Sequence, residues 1–192
     1  MTRIEQIITR SIDVKQRILD DSGLLGRIND FKVLAVEAYR KGAKMLFCGN
    51  GGSAADAQHI AAELSGRFYL DRKPLCAIAL NCNTSYITSV SNDYGFEYVF
   101  SRGVEAMANK GDILVGISTS GNSQNVLNAF AKAREMGVFT VAMTGRDGGI
   151  IAPSSDLIIN VPSDDTPRIQ EAHIMIGHIV CELVEKELFG NE

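Results

Sequence analysis

The 192-residue chain has no CxxC pair, no long basic run and no uninterrupted apolar stretch of the roughly eighteen residues that a membrane span requires. Its four cysteines, Cys48, Cys76, Cys82 and Cys181, therefore lack the spacing of a metal knuckle or a redox pair. Cys48, Cys76 and Cys181 fall in stretches expected to be buried, which fits reduced thiols in a cytoplasm. A formal net charge of −4 argues against a nucleic-acid surface. Residues 1–21 carry a charge every few positions and read as neither a signal peptide nor a membrane segment. No linker, repeat or low-complexity tract divides the sequence. The expectation is one cytoplasmic domain, 1–192, with neither nucleic acid nor membrane as partner.

Apolar runs at 44–48, 76–80, 113–117, 138–143 and 157–161 alternate with helical patterns. That alternation is the grammar of an α/β fold, a doubly wound five-stranded parallel sheet of the flavodoxin-like kind, for which 2-1-3-4-5 is the common strand order. Two helical stretches, about 3–20 and 27–41, precede the first strand as an N-terminal helical hairpin joined at Asp21-Ser22-Gly23. Residues 1–41 form this arm and 42–192 the α/β core.

After the third strand the chain reads Ser118, Thr119, Ser120, Gly121, Asn122, Ser123 and then turns helical, with Val126, Leu127 and Phe130 in phase and Gly137 as the stop. Four hydroxyls in a strand-to-helix turn suit a tetrahedral oxyanion, because free N–H groups and the positive end of the helix dipole lie there. An ordinary Ser/Thr cap explains one of the four. The first strand ends in Gly49-Asn50-Gly51-Gly52-Ser53, too short of lysine for a Walker loop, with Ser53 placed to cap a helix running to about Ser65. With strands one and three adjacent at the switch point, both loops face one crevice. A phosphorylated small molecule is the expected ligand.

Only three histidines exist. On the helix after Ser53, His59 and Glu63 are four apart and share a face with Asp56, which serves either a solvated ion-pairing surface or a divalent metal. His173 and His178 lie on the last helix, where Ile169, Ala172, Ile176, Ile179 and Leu183 are expected to form a core stripe and Pro167 suits the first turn. His173 reads as a packed structural histidine. His178, near Ile174 and Cys181, lies on a second face, and a helix buried on two faces wants a second subunit. Gln170 and His178 are polar groups there that need partners.

The segments GNGGS at 49–53, HIAAEL at 59–64, SNDYGF at 91–96, GISTSGNS at 116–123, TGRDGG at 144–149 and RIQEAH at 168–173 followed by His178 together resemble the sugar isomerase (SIS) domain family, and within it the isomerases of sedoheptulose 7-phosphate, over essentially the whole chain. The resemblance implies a ketose-to-aldose reaction through an enediol, with Glu63 as base and His178 as acid, in the making of a heptose precursor for lipopolysaccharide core or another surface glycan. It also implies that Gly51, Gly52, Ser53, Ser118, Thr119, Ser120 and Ser123 hold the phosphate and sugar chain, joined by Glu63 and Gln170. Asn92 and Asp93, in the turn SNDYG, would contact substrate hydroxyls. Zinc, one per subunit, is implied at His59, Glu63, Gln170 and His178, in a homotetramer. Gln170 and His178 are eight residues apart, about 12 Å of helix rise, so they meet at one ion only by leaning together or from different subunits. A noncatalytic relative that associates with the bacterial replication initiator shares this frame but lacks a match for His178. The alternative reading is therefore a sugar-phosphate-binding or replication-initiator-associating adaptor.

Overall fold

The computed structural model describes residues 1–190. Two helices open the chain, α1 (Arg3–Asp20) and α2 (Ser22–Arg40). A capping box starts the first, with Thr2 and Glu5 each bonding the other's backbone, and only Asp21 separates the two, its carboxylate accepting from Leu24 N–H. There follow β1 (Met45–Gly49), α3 (Gly52–Ser65), β2 (Ala77–Ala79), α4 (Thr84–Asp93), α5 (Val99–Met107), β3 (Ile113–Ser118), α6 (Gln124–Glu135), β4 (Phe139–Gly145), β5 (Leu157–Val161) and α7 (Thr166–Phe189). The sheet is wholly parallel in the order β2-β1-β3-β4-β5.

Parallel strands covered by helices on both faces bury successive side chains on opposite sides. Met45, Phe47, Ile113, Val115 and Ile117 pack with α2, α3 and α7, and Val14 and Ile18 of α1 join that cluster. Leu46, Cys48 and Leu114 pack on the other side, with α5 and α6. A side chain at Gly116 would collide with Phe130 and Val126, so this glycine lets α6 lie directly on β3.

Several expectations shift at the edges. The second strand shrinks to three residues and leaves Cys76 exposed, because an edge strand is covered on one side only. Ile179 and Leu183 stand 36% and 37% exposed, and the buried side of α7 runs instead through Ile169, Ala172, His173, Ile176, Val180, Cys181 and Val184. Asn92 and Asp93 end a helix rather than occupy an open turn. Ser53 is not a cap: Gly51 holds that position, no side chain bonds there, and Ser53 is buried inside the first turn. Among the described residues no helix is long and apolar enough to cross a membrane.

Candidate active site

The C-terminal ends of β1 and β3 lie side by side, Gly49 in register with Ile117. From there the chain departs in opposite directions, into α3 on one face of the sheet and α6 on the other. Gly51, at φ +56, turns β1 into α3, and the helix N-terminus that follows has no side-chain cap. Across the crevice, Ser123 occupies the N-cap position of α6, yet its hydroxyl makes no capping bond and pairs with the Ser118 hydroxyl at 2.9 Å. The Ser118 and Ser123 hydroxyls are thus held by one another, and the N-terminus of α6 has no side-chain cap.

Both loops are rigidly backed. Asn50 Nδ2 donates to Asn125 Oδ1 and Asn125 Nδ2 donates to Asn50 Oδ1, each at 2.9 Å, so a reciprocal amide pair ties the glycine loop to α6. Gly121, at φ +66, presses on the Gly148 carbonyl, and its own carbonyl accepts from Ile151 N–H at 3.0 Å. Asn122 spans the same gap, donating to the Ser120 carbonyl at 2.9 Å and accepting from Ile150 N–H at 3.2 Å. Thr119 and Ser120 remain half-buried at the crevice mouth. A hollow of about 180 Å³ opens beside the glycine loop, lined by Gly51, Ala54, Asn81 and Phe96 among others. Asn81 donates to the Ala54 carbonyl at 2.9 Å, and its buried oxygen has no protein partner.

Two turns along α3, His59 Nε2 stands 3.0 Å from Glu63 Oε1 and 3.1 Å from His178 Nε2 on α7. One proton on His59 Nε2 cannot serve both contacts: donating to Glu63 leaves no lone pair for His178, and accepting from His178 leaves the carboxylate unbonded. A cation that takes a lone pair from all three groups removes the conflict, and their ligand atoms lie within 4.8 Å of one another. The donor set of two imidazoles and a carboxylate fits zinc on this ground. Phe68 covers one side, its ring centroid 5.7 Å from that of His178.

Residues 15–145 match the SIS domain family. The chain is 54% identical over 189 residues to the phosphoheptose isomerase of Clostridium acetobutylicum, covering 98% of this chain and 96% of that one. The phosphoheptose isomerase of Sulfurimonas denitrificans is 52% identical with the same coverage. Among solved structures, the phosphoheptose isomerase of Neisseria gonorrhoeae superposes with a TM-score of 0.90 at 43% identity, covering 96% of this chain and 97% of that one. That of Francisella tularensis gives 0.91 at 36%, covering 97% and 100%. The chain belongs to the phosphoheptose isomerase family.

Of the four residues expected from the sequence as metal ligands, His59, Glu63 and His178 gather within this one chain. Gln170 lies two turns earlier on α7, its amide against Gly52 at the glycine loop. Asp56, between them on α3, has one buried carboxylate oxygen without a partner, and burial pushes its pKa up to about 6 against the opposing pull of His59. His173 is fully buried, its Nε2 3.0 Å from the Thr144 carbonyl; burial drives its pKa down to about 4, and that bond only partly offsets the shift. It is the structural histidine the pattern implies. Asn92 donates to Asp93 at 2.8 Å and both are exposed. A larger hollow, about 680 Å³, takes in Asp93, Tyr94, Arg102 and Lys132 and contains none of the histidine cluster. Sequence reading missed the Asn50–Asn125 pair, although an amide amid the apolar residues of α6 that face the core was a signal for a buried polar tie.

Proposed function

We propose that this protein is an aldose–ketose isomerase that converts D-sedoheptulose 7-phosphate to D-glycero-D-manno-heptose 7-phosphate in the cytoplasm, for a heptose precursor of lipopolysaccharide core or another surface glycan. The observation that carries it is the meeting of His59, Glu63 and His178 in one chain, on the two helices whose N-terminal ends flank the glycine loop. An adaptor that only recognises a sugar phosphate needs the loops but not the Glu63 and His178 pair. The whole chain is read as one SIS domain, since Val14 and Ile18 of the arm share a core with α7.

In this reading the glycine loop, with Gly51, Gly52 and Ser53, and the hydroxyl loop, with Ser118, Thr119, Ser120 and Ser123, bind the phosphate and sugar chain. Gln170 reaches the same end, and Asn92 and Asp93 take outer hydroxyls. Glu63 removes the proton from carbon 1 beside the carbonyl, and His178 supplies a proton as the enediol collapses to the aldose. Each transfer is worth about 10²–10⁴-fold. Zinc, which His59, Glu63 and His178 would hold, would polarise the carbonyl as a Lewis acid, with Glu63 shuttling protons at the margin of the coordination sphere and His178 giving its proton only while its ring is off the ion. Gln170 would have to leave Gly52 to become a fourth ligand.

Turnover compared across ketose phosphates of five, six and seven carbons, with and without chelator, tests the substrate: preference for the seven-carbon chain is expected, and preference for a shorter one would reassign it. Ser120→Ala and Ser123→Ala should each weaken substrate binding by about 1–3 kcal/mol, the range for a hydrogen bond to a charged group. Unchanged affinity in both would return the loop to capping.

A homotetramer is the proposed assembly. Ile4, Ile8, Ile12 and Leu19 line one side of α1 at 71%, 53%, 59% and 63% exposure, too much apolar surface to leave in water. Sedimentation at micromolar concentration should show a symmetric oligomer, and a monodisperse monomer would refute it. The histidine cluster, complete in one subunit, would survive that outcome.

A further inference from the structure

The deepest ion pair outside the site joins Arg72 to Glu185, Nε to Oε1 at 2.8 Å, with both side chains 2% exposed. Neither residue enters the chemistry described above. Glu185 also accepts from the backbone N–H groups of Phe68, Tyr69 and Leu70 at 3.2, 2.6 and 3.0 Å. Burial alone would raise its pKa, and these bonds together with Arg72 outweigh it, so the carboxylate is held below its ordinary range. Arg72 also donates to the carbonyls of Leu64, at 2.9 Å, of Lys73, at 3.2 Å, and of Glu63 itself, at 3.0 Å.

Three pieces of chain meet at this knot. One is the last turn of α3, whose free carbonyls Arg72 caps. Another is the loop that follows it, which carries the Phe68 ring onto His178. The third is α7, where Glu185 follows His178 by two helical turns and so lies on the same side of the helix. A buried ion pair is a poor way to gain stability, since desolvation consumes most of the attraction. Fixed geometry is what seven directed hydrogen bonds to one guanidinium and one carboxylate supply, and the geometry fixed here is the spacing of α3 from α7.

We propose that Arg72 and Glu185 are positioning residues for the isomerisation, holding the helix that carries His59 and Glu63 at the separation from His178 that the site needs. They act through those side chains and touch no substrate. The inference rests on the isomerase reading above.

Glu185→Gln keeps the shape and removes the charge. Arg72→Lys keeps the charge but cannot fork to two carbonyls and a carboxylate at once. In either variant kcat should fall about 10–100-fold, the usual effect of losing a group that orients ligands. Zinc affinity, measured by titration of the metal-free protein, should fall at least about tenfold. KM for sedoheptulose 7-phosphate should stay within about threefold, because the anion loops lie at the other end of α3. In a His178→Ala background Glu185→Gln should cost no further kcat, since the group it positions is gone. Should Glu185→Gln fail to fold, Arg72→Lys carries the same comparison. A folded variant with wild-type kcat and zinc affinity and a lower melting temperature alone would overturn the inference, leaving a structural clamp. So would a full additional loss of kcat on top of His178→Ala. A wild-type protein that binds no zinc and turns over no sugar phosphate refutes the isomerase reading itself, whereas active wild type with equally active variants refutes only the positioning role.

Discussion

Glu63→Gln is expected to lower kcat at least about a hundredfold while the protein still binds sugar phosphate, and His178→Ala to do the same. The glutamine is isosteric and keeps an oxygen facing His59, so it removes the titratable group with little else. Glu63 sits 3.0 Å from His59 and its own carbonyl is capped by Arg72, so a changed fold is not the expected cause of the loss. His178→Ala frees His59 from the competing contact at 3.1 Å, and the His59–Glu63 pair should persist. Binding and chemistry should therefore separate: calorimetry would report near wild-type affinity for sedoheptulose 7-phosphate where turnover has collapsed. Near wild-type turnover in both variants would remove Glu63 and His178 from the mechanism.

Gly121→Ala should be the most damaging substitution in the hydroxyl loop. Its φ of +66 is strained for any residue with a side chain, and an added methyl would overlap the Gly148 carbonyl. Both sides of that contact are backbone, and the Gly121 carbonyl is pinned by Ile151 N–H, so neither can yield without displacing Ser120 and Asn122. A loss of about 3 kcal/mol or more follows, roughly 6–12 °C in melting temperature for a chain of this size, together with weakened phosphate binding. Gly26→Ala is the control. It lies within α2 with nothing within 4 Å of the added carbon, and should raise stability by about 0.5–1 kcal/mol. Equal melting temperatures for the two variants would show that the loop is not packed as described.

The sheet was legible because strands buried on both faces leave continuous apolar runs, whereas its strand order is the common one for this class and is not encoded in the runs themselves. The edge was less so: β2 keeps only three residues, and nothing in CAIAL distinguishes an edge strand from a central one. On α7 the core stripe was expected to run through Ile179 and Leu183, and it runs instead through Val180, Cys181 and Val184, because the helix packs on both α3 and the sheet. Glu185 is buried on that side, where a charged residue argues for solvent unless its partner is known. The partner is 113 positions away, and Asn50 and Asn125 are 75 apart, separations that no periodicity encodes. His59 and Glu63 were visible as a pair by helical spacing, whereas their meeting with His178 required the parallel packing of α3 on α7, seen in Gly177 against Ile60 and Gly52 against Gln170.

The most direct measurement is NMR of the metal-loaded protein with sedoheptulose 7-phosphate in deuterium oxide. Accumulation of an aldose 7-phosphate, with solvent deuterium entering at carbon 2 as Glu63 and His178 pass protons through an enediol, is the predicted result. A protein shown to hold its metal that forms no aldose from this ketose would contradict the isomerase reading.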